Sequence, residues 1–232
     1  METLLSPSAT QDSARRRILV INPNGNPAVS QLVSERASAV LRPSTGFQVL
    51  HPEGSPLSIE TRADRGMAEP LALDLLTRHP AYDAYVMACF DDIAIDRGRQ
   101  FLSAPIVCAA EAALSVARLF APRIAIVTTV ETMVPGIRAL VASLGAAEIC
   151  TVRAAGIGVA SAAAGGDEIA RKLDTTIEDA RNFDGAGAII LGSGGLTGRA
   201  EALSARHGLP VIDSIEAALA MAELAAGLNP RP

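Results

Sequence analysis

Short apolar runs rich in valine and isoleucine recur along the chain and alternate with longer stretches of helical pattern. Five of these runs predict strands buried on both faces, as in a parallel sheet: 18–21, 84–89, 106–108, 124–128 and 188–191. Apolar spacing elsewhere predicts helices over 29–41, 69–77, 109–120, 135–144, 167–182 and 215–226. The alternation of strand and helix predicts an α/β fold with right-handed crossovers.

The chain also repeats itself at a spacing of about 105 residues. ILVIN, ending at Asn22, matches IAIVT, ending at Thr128, with an offset of 106. VMACFDD around Cys89 matches ILGSGGL around Ser193 with an offset of 104, and PIVCAAEAALSVARL matches PVIDSIEAALAMAEL with an offset of 105. Because the offsets agree so closely, we interpret the chain as a duplicated unit of about 100 residues.

Each repeat predicts one lobe that contains an open parallel sheet, and we expect the two lobes to pack about a pseudo-twofold axis. The first lobe is predicted to hold 18–105 and the C-terminal helix region 210–228, and the second to hold 106–209, after a flexible tail at 1–17. Open α/β sheets bind ligands at the carboxyl ends of their strands. Since Cys89 and Ser193 both follow predicted strands, the repeat predicts one shared cleft between them.

Composition excludes several classes of protein. The 232 residues are 49% hydrophobic and 3% aromatic, and 20 Lys+Arg stand against 25 Asp+Glu, so neither nucleic acid nor an anionic membrane surface is an expected partner. No apolar stretch reaches the ~18 residues that a membrane helix needs. The three cysteines form no CxxC pair, which favours a reduced, cytoplasmic setting.

Metal and cofactor chemistry are not expected either. His51, His79 and His207 are the only histidines, and their spacing is not that of metal ligands. Lys172, the only lysine, lies in a polar helical stretch, which argues against a pyridoxal phosphate Schiff base. The sequence therefore predicts an enzyme without metal or cofactor, or a simple ligand-binding protein.

Cys89 is the strongest candidate for chemistry, because its thiol is expected at the edge of a sheet. Backbone N–H groups there would lower the pKa of the thiol and make it a usable base or nucleophile. Cys108 and Cys150 lack that placement, and we interpret both as structural. The loop LGSGGLTG carries Gly192, Ser193 and Gly194, and its amides predict an anion-binding nest, although it matches neither GxGxxG nor GxSxG.

Polar residues follow the first strand of each repeat. NPNGNP is interpreted either as turn chemistry or as a source of side-chain amides, from Asn22 or Asn24, for a carboxylate or imide carbonyl, and the following helix is expected to be capped near Ser30. Thr128 and Thr129 offer hydroxyls for the same purpose in the second repeat. Asp91 and Asp92 are interpreted either as groups that orient the Cys89 thiol or, preferably, as caps of the next helix. Glu111 and Glu216 are expected to favour helix starts through the helix dipole.

Taken together, NPNGNP, ACFDD, PIVCAAEAAL, VTTVETMVP, ILGSGGLTG and GLPVIDSIEAAL resemble the Asp/Glu/hydantoin racemase superfamily, and most of all its hydantoin and allantoin racemases. The resemblance runs over 18–224. It implies a cofactor-independent enzyme in which two cysteines flank the substrate carbon, one removing a proton and the other delivering one to the opposite face. Cys89 matches the first position, whereas Ser193 stands at the second. The substrate-binding residues it implies are Asn22, Asn24, Phe90, Asp91, Thr128, Thr129, Gly192 and Gly194.

Serine at the second position is a departure with chemical consequences, because a hydroxyl is a far weaker acid than a thiol. The explanations are an unusually acidic substrate, a cysteine replaced by engineering, or a different reaction that uses Cys89 alone. The preferred hypothesis is proton transfer at the carbon next to a carbonyl of a small carbonyl or carboxylate substrate, through an enolate stabilised by Asn22, Thr128, Thr129 and amides near Ser193. The alternatives are a one-cysteine lyase, isomerase or hydrolase similar to arylmalonate decarboxylase or maleate isomerase, and a non-catalytic binder. Apolar helix faces and the resemblance favour a homo-oligomer.

Overall fold

The computed structural model describes residues 16–228 and contains two four-stranded parallel sheets flanked by helices, as predicted. The strand order is β2-β1-β3-β4 in the first sheet and β6-β5-β7-β8 in the second, so the two sheets have the same topology. The strands are β1 Arg17–Ile21, β2 Gly46–Leu50, β3 Ala84–Met87, β4 Ile106–Cys108, β5 Ile124–Thr128, β6 Cys150–Ala154, β7 Ala188–Leu191 and β8 Val211–Asp213.

Helices connect the strands, and all six predicted helices are present with shifted ends. The helices are α1 Pro27–Val40, α2 Arg62–Arg78, α3 Ile95–Phe101, α4 Ala109–Ala117, α5 Val134–Ser143, α6 Val159–Ala164, α7 Asp167–Asp184, α8 Ala200–His207 and α9 Ser214–Leu228. The sequence analysis did not predict α3, α6 or α8. Within residues 16–228, none of the helices has the length and apolar character needed to cross a membrane.

Burial explains which strands the sequence revealed. The central strands β3, β5 and β7 are buried at every position, and their runs are continuously apolar. The outer strands β2 and β6 are mostly half-exposed, and their sequences GFQVL and CTVRA mix polar with apolar residues. The outer strands β4 and β8 also pair with only one neighbour each but are buried, because helices α4 and α9 pack on them. Strand β8 was nevertheless not predicted, since only two of its three residues are apolar.

The last helix of each repeat packs on the other repeat. Helix α4, which follows β4, contacts β7 and β8 of the second sheet, and α9, which follows β8, contacts α1, β3 and β4. The two helices also pack against each other. The expected lobe boundaries need correction, since β4 belongs to the first sheet and β8 to the second. Of the expected tail, Arg17 begins β1 and residues 1–15 lie outside the described residues.

Equivalent hydrogen bonds fix the chain where it leaves the central strands. Ala88 N donates to Ile21 O at 2.7 Å, and Gly192 N donates to Val127 O at 2.9 Å in the second sheet. The next residue in each case is Cys89 or Ser193. The duplicated fold thus brings these two side chains to matching positions at the carboxyl ends of β3 and β7.

Candidate functional site

Cys89 and Ser193 line the same small cavity between the two sheets, which we call the inner cavity. The first lobe contributes Asn24, Ile59 and residues 88–91 to its wall. The second contributes Thr128, Thr129, Met133, Val159 and residues 192–194. Its volume is about 30 Å³, close to the space that one water molecule occupies. Of the predicted site residues, Asn22 alone lies outside this lining, and it is fully buried behind Asn24.

A network of amide side chains orients Asn24. Asn22 Nδ2 donates to Asn24 Oδ1 at 3.0 Å, and Asn26 N donates to the same oxygen at 3.0 Å. Both acceptor sites of Asn24 Oδ1 are therefore occupied, and Asn24 Nδ2, which has no partner within residues 16–228, is the polar group left for a ligand. Asn22 is a supporting residue and does not reach the cavity.

The start of α1 corrects the predicted cap at Ser30. Asn26 is the N-cap, since its side-chain oxygen accepts from Ala28 N at 3.0 Å, and Pro27 occupies the first helical position. Ser30 Oγ instead contacts Asn22 Nδ2 and His51 Nδ1, both at 3.0 Å. Ser30 therefore helps to hold Asn22 behind the cavity.

Thr128 presents an acceptor to the inner cavity. Its Oγ1 donates to Gly192 O at 3.2 Å, so the hydroxyl proton is already used and only lone pairs remain for a ligand. The predicted contact with a substrate carbonyl requires a donor, whereas in the ligand-free structure this proton is bonded to Gly192 O. Thr129 is also buried and lines the cavity.

Ser193 is arranged as a hydrogen-bond donor. Its Oγ accepts from Gly195 N at 3.3 Å, and no carboxylate or imidazole within the described chain contacts it. The hydroxyl proton is free, but no base is present to remove it. A base role for this serine therefore has no support in its surroundings.

The loop around Ser193 offers fewer amides than the predicted nest. The N–H groups of Leu196, Thr197 and Gly198 are bonded to Ser193 O, Gly194 O and Asp213 Oδ2. Those of Ser193 and Gly194 donate to no residue within 16–228 and remain available to a ligand. The loop passes close to its neighbours, because a Cβ on Gly192 would lie 2.7 Å from Ile126 Cγ2 and one on Gly195 2.6 Å from Val159 O.

Burial raises the pKa of the Cys89 thiol to about 12, and the charge of Asp91 adds to this shift. The Asp91 backbone N–H and the Arg65 guanidinium favour the thiolate but do not outweigh burial. A backbone N–H thus lowers this pKa as expected, but the net shift in the ligand-free protein is upward because burial outweighs it. At neutral pH Cys89 carries its proton.

Arg65 on α2 holds the loop that follows Cys89. Its Nη1 contacts Asp91 Oδ1 at 2.5 Å, and its Nη2 contacts Asp92 Oδ1 at 2.7 Å. Burial raises the pKa of Asp91, and Arg65 opposes that shift. The two aspartates do not cap the next helix as predicted, because the N-cap of α3 is Ala94, in a left-handed conformation with φ 61° and no side-chain cap bond.

A second, larger space adjoins the inner cavity, and we call it the outer groove. It has a volume of about 500 Å³ and runs between the start of α2 and α5. Asp91 and Met133 line both spaces, so they form the partition between them. This groove could not be predicted from the sequence.

The segment before α2 bridges the lobes beside the cavity. Glu60 Oε1 accepts from Val159 N, at the start of α6, at 2.8 Å. Thr132 Oγ1 donates to Glu60 O at 2.8 Å. These bonds hold Ile59 against the inner cavity, and they join a first-lobe segment to two elements of the second lobe.

The other candidates lie away from the cavity. Cys108 is buried and Cys150 half-buried, and burial raises the pKa of each thiol to about 11. Glu111 pairs with Arg99, and Glu216 with Arg36. Within the described part of the chain, no three His, Cys, Asp or Glu residues are placed to hold a metal ion.

Comparison with known proteins gives one family match. The family model described as Asp/Glu/Hydantoin racemase matches residues 18–222. A hydantoin racemase of Rhizobium meliloti is 35% identical over 213 residues, which cover 90% of this chain and 88% of that protein.

Solved structures agree with this match. An allantoin racemase from Klebsiella pneumoniae superimposes with a TM-score of 0.86 at 32% identity, covering 92% of this chain and 88% of that one. A variant of arylmalonate decarboxylase superimposes with a TM-score of 0.67 at 21% identity, covering 94% and 96%, and at that identity the likeness concerns the fold alone.

Proposed function

Since the chain belongs to the Asp/Glu/hydantoin racemase family, we propose that its substrate is a neutral cyclic ureide of the hydantoin type, racemised at the ring carbon next to a carbonyl. The chain is a racemase, an isomerase, and its relatives with curated names are hydantoin racemases. In the proposed reaction individual residues of the inner cavity bind the ureide and transfer its proton, and no cofactor takes part.

The observation that carries the proposal is the polarity of the inner cavity. Asn24 Nδ2 offers a donor from the first lobe, and Thr128 Oγ1 offers an acceptor from the second. A ring that contains both C=O and N–H groups satisfies both. Among the described residues, the cavity lining contains no Lys, Arg or His, and Asp91 is already paired with Arg65, so a carboxylate would be desolvated without a cationic side chain as partner.

Removal of the α-proton leaves negative charge on the adjacent carbonyl oxygen. The unbonded N–H groups of Ser193 and Gly194 lie on the cavity wall and supply the donors that stabilise such an oxyanion. Because the enolate oxygen accepts more strongly than the neutral carbonyl, these donors favour the transition state over the bound substrate.

Cys89 is the proposed acid and base on one face of the ring. Its thiolate takes the proton from the carbon, and the electron pair moves onto the carbonyl oxygen as the enolate forms. On the other face the Ser193 hydroxyl delivers a proton to the carbon and takes one from water, and the hydroxide formed removes the proton now held by Cys89, so each inversion incorporates a solvent hydrogen. In the reverse direction hydroxide takes the proton through the Ser193 hydroxyl, which relays it, and the Cys89 thiol protonates the carbon. The high pKa of Cys89 makes its thiolate rare but strongly basic.

Hydrogen exchange tests this proposal directly. Single enantiomers of 5-methylhydantoin and 5-benzylhydantoin are incubated with the protein in D₂O, and optical rotation and loss of the ring C–H signal are followed together. We expect both to change at a rate that depends on enzyme. Absence of exchange with every hydantoin, from a folded protein, would refute the substrate class.

A second candidate function is decarboxylation of an arylmalonate, favoured by the protonated state of Cys89 and by serine at the opposite position. Loss of CO₂ from a malonate generates an enolate without a base, and the Cys89 thiol would then donate its proton to carbon. The absence of a cation in the cavity lining argues against it. CO₂ release from phenylmalonate, measured beside hydantoin exchange, separates the two reactions.

A further inference from the structure

The inner cavity is too small to hold a whole substituted ring. Its volume is about 30 Å³, whereas the adjoining outer groove measures about 500 Å³, within the usual range of ligand sites. A ring bound between Cys89 and Ser193 requires the cavity to widen, and a substituent on its reacting carbon needs space beyond it.

The outer groove is the space that adjoins the reacting position. Asp91, two residues beyond Cys89, belongs to the lining of both spaces, and so does the half-buried side chain of Met133. A group attached to a carbon next to Cys89 therefore passes this partition and enters the groove.

We infer that the outer groove is the subsite for the substituent on the reacting ring carbon, and that it takes an aliphatic or aromatic chain ending in a hydrogen-bond acceptor. The inference rests on the proposed hydantoin racemase function. It adds a specificity determinant that neither the repeat nor the strand-end residues indicated.

The two walls of the groove differ in chemistry, and this difference sets the class of substituent. The wall on α5 is mostly apolar, with Met133, Pro135, Ala139 and Leu140. Opposite it lie the ion-paired group of Arg65, Asp91 and Asp92 and, beside this group, Arg62. Arg62 is the first residue of α2, is exposed and forms no ion pair within residues 16–228. A chain that packs on α5 thus brings its far end toward an unpaired guanidinium, which binds carboxylate and amide oxygens.

Gly136 provides a way to fill the groove without disturbing the backbone. It lies on α5 in the groove wall, and a Cβ built on it meets no atom within 4 Å. Gly66 on α2 is also exposed and equally unobstructed, but it does not line the groove. Gly136→Phe and Gly66→Phe are therefore a matched pair, and Ala139→Phe fills the same groove from a second position.

The experiment measures kcat/KM for racemisation of 5-benzylhydantoin and 5-methylhydantoin. We expect the benzyl-to-methyl ratio to fall by about tenfold or more in Gly136→Phe and Ala139→Phe and to stay at the parent value in Gly66→Phe. An unchanged ratio in both groove variants, each shown to be folded by its thermal transition, would overturn the inference. Failure of the parent to act on either hydantoin would instead overturn the proposed function, and the subsite with it.

A second measurement tests the charged end of the groove. The parent and Arg62→Gln are compared on 5-(2-carboxyethyl)hydantoin and 5-propylhydantoin, whose chains are of similar length. We expect the carboxyethyl-to-propyl ratio of kcat/KM to fall by about fivefold in Arg62→Gln, through loss of a charge-assisted hydrogen bond. An equal ratio in the two proteins would remove Arg62 and the acceptor requirement from the inference.

Discussion

The two sides of the inner cavity have the same backbone origin but different surroundings. On the first side, the loop after Cys89 is held by an ion pair from another helix, Arg65 with Asp91 and Asp92. On the second, the Ser193 loop is held by backbone bonds and by Asp213, whose carboxylate accepts from Gly198 N at 2.6 Å.

The last residues of β4 and β8, which are equivalent in the two repeats, also differ in what they hold in place. Cys108 ends β4 and provides no side-chain cap for α4, whereas Asp213 ends β8 and accepts from Ile215 N and Glu216 N at the start of α9. Duplication thus supplied the geometry of two opposed groups. The chemical difference between them, a half-buried thiol beside an ion pair against a buried hydroxyl among amides, arises from the different side chains around the two positions.

The largest effect is expected on the first side. Cys89→Ala removes the proposed acid and base, so we expect enzyme-dependent exchange of hydantoin hydrogen to fall by at least about a thousandfold. Cys150→Ala, which changes a half-buried thiol away from the cavity, is the control and should keep the parent rate within a factor of about three. Substantial exchange by Cys89→Ala would assign proton removal to another group.

The Ser193 side of the cavity is tested by placing a cysteine at this position, as at Cys89. Ser193→Cys places a more acidic group opposite Cys89, and we expect racemisation to accelerate by about a hundredfold. Ser161→Cys adds a thiol on the exposed face of α6 and should leave the rate as it is. A slower Ser193→Cys enzyme would show that this site is adapted to serine and would favour the reaction that uses Cys89 alone.

The pH profile reports the state of the thiol. Because burial raises the pKa of Cys89 to about 12, the thiolate fraction grows as pH rises and is far from its limit at neutral pH. We therefore expect kcat/KM to rise by about tenfold per pH unit between about pH 6 and pH 8. A plateau within that interval would mean that the pKa of the thiol in the free enzyme lies below this value.

A smaller effect, on the pH dependence of stability, is expected from Asp213. Burial raises the pKa of this carboxyl to about 6 from 3.8. The folded protein therefore binds a proton on the Asp213 carboxylate more tightly than the unfolded chain does. The stability that this bound proton contributes is lost as pH rises from about 4 through 6. Relative to Asp213→Asn, the parent should lose roughly 3 kcal/mol of unfolding free energy across that interval. Urea unfolding at both pH values measures this.

Asp96→Asn, which changes an exposed carboxylate on α3, is the control for the Asp213 measurement. Its unfolding free energy should follow that of the parent at both pH values. Identical pH dependence of Asp213→Asn and the parent would show that Asp213 is charged throughout the interval.

The sequence was most informative where structure requires continuous burial. The central strands and the repeat were predictable, because buried parallel strands allow only apolar residues and because both halves keep the same pattern. The outer strands β2 and β6 were missed, since half-exposed positions such as Gln48 and Arg153 break the apolar run. The fold class and the outer strand β4 could therefore be predicted, whereas the outer strands β2, β6 and β8 could not.

The candidate site also contains some residues that the sequence could predict and others that it could not. Cys89, Ser193 and their neighbours follow predicted strands, so their meeting at one cavity could be predicted from topology. Arg65 and Glu60 reach the site from a helix and a connecting segment, and local sequence carries no signal for such contacts. The direction of the Cys89 pKa shift was also inaccessible, because burial depends on atoms from both lobes.

The exchange of helices α4 and α9 restricts how the molecule can open. The chain crosses from one lobe to the other directly after β4 and again directly after β8, and both crossings lie beside the strands that carry the reacting residues. These two adjacent tethers join the lobes at the floor of the cleft, so we expect the widening that a bound ring requires to come from movement at the rim.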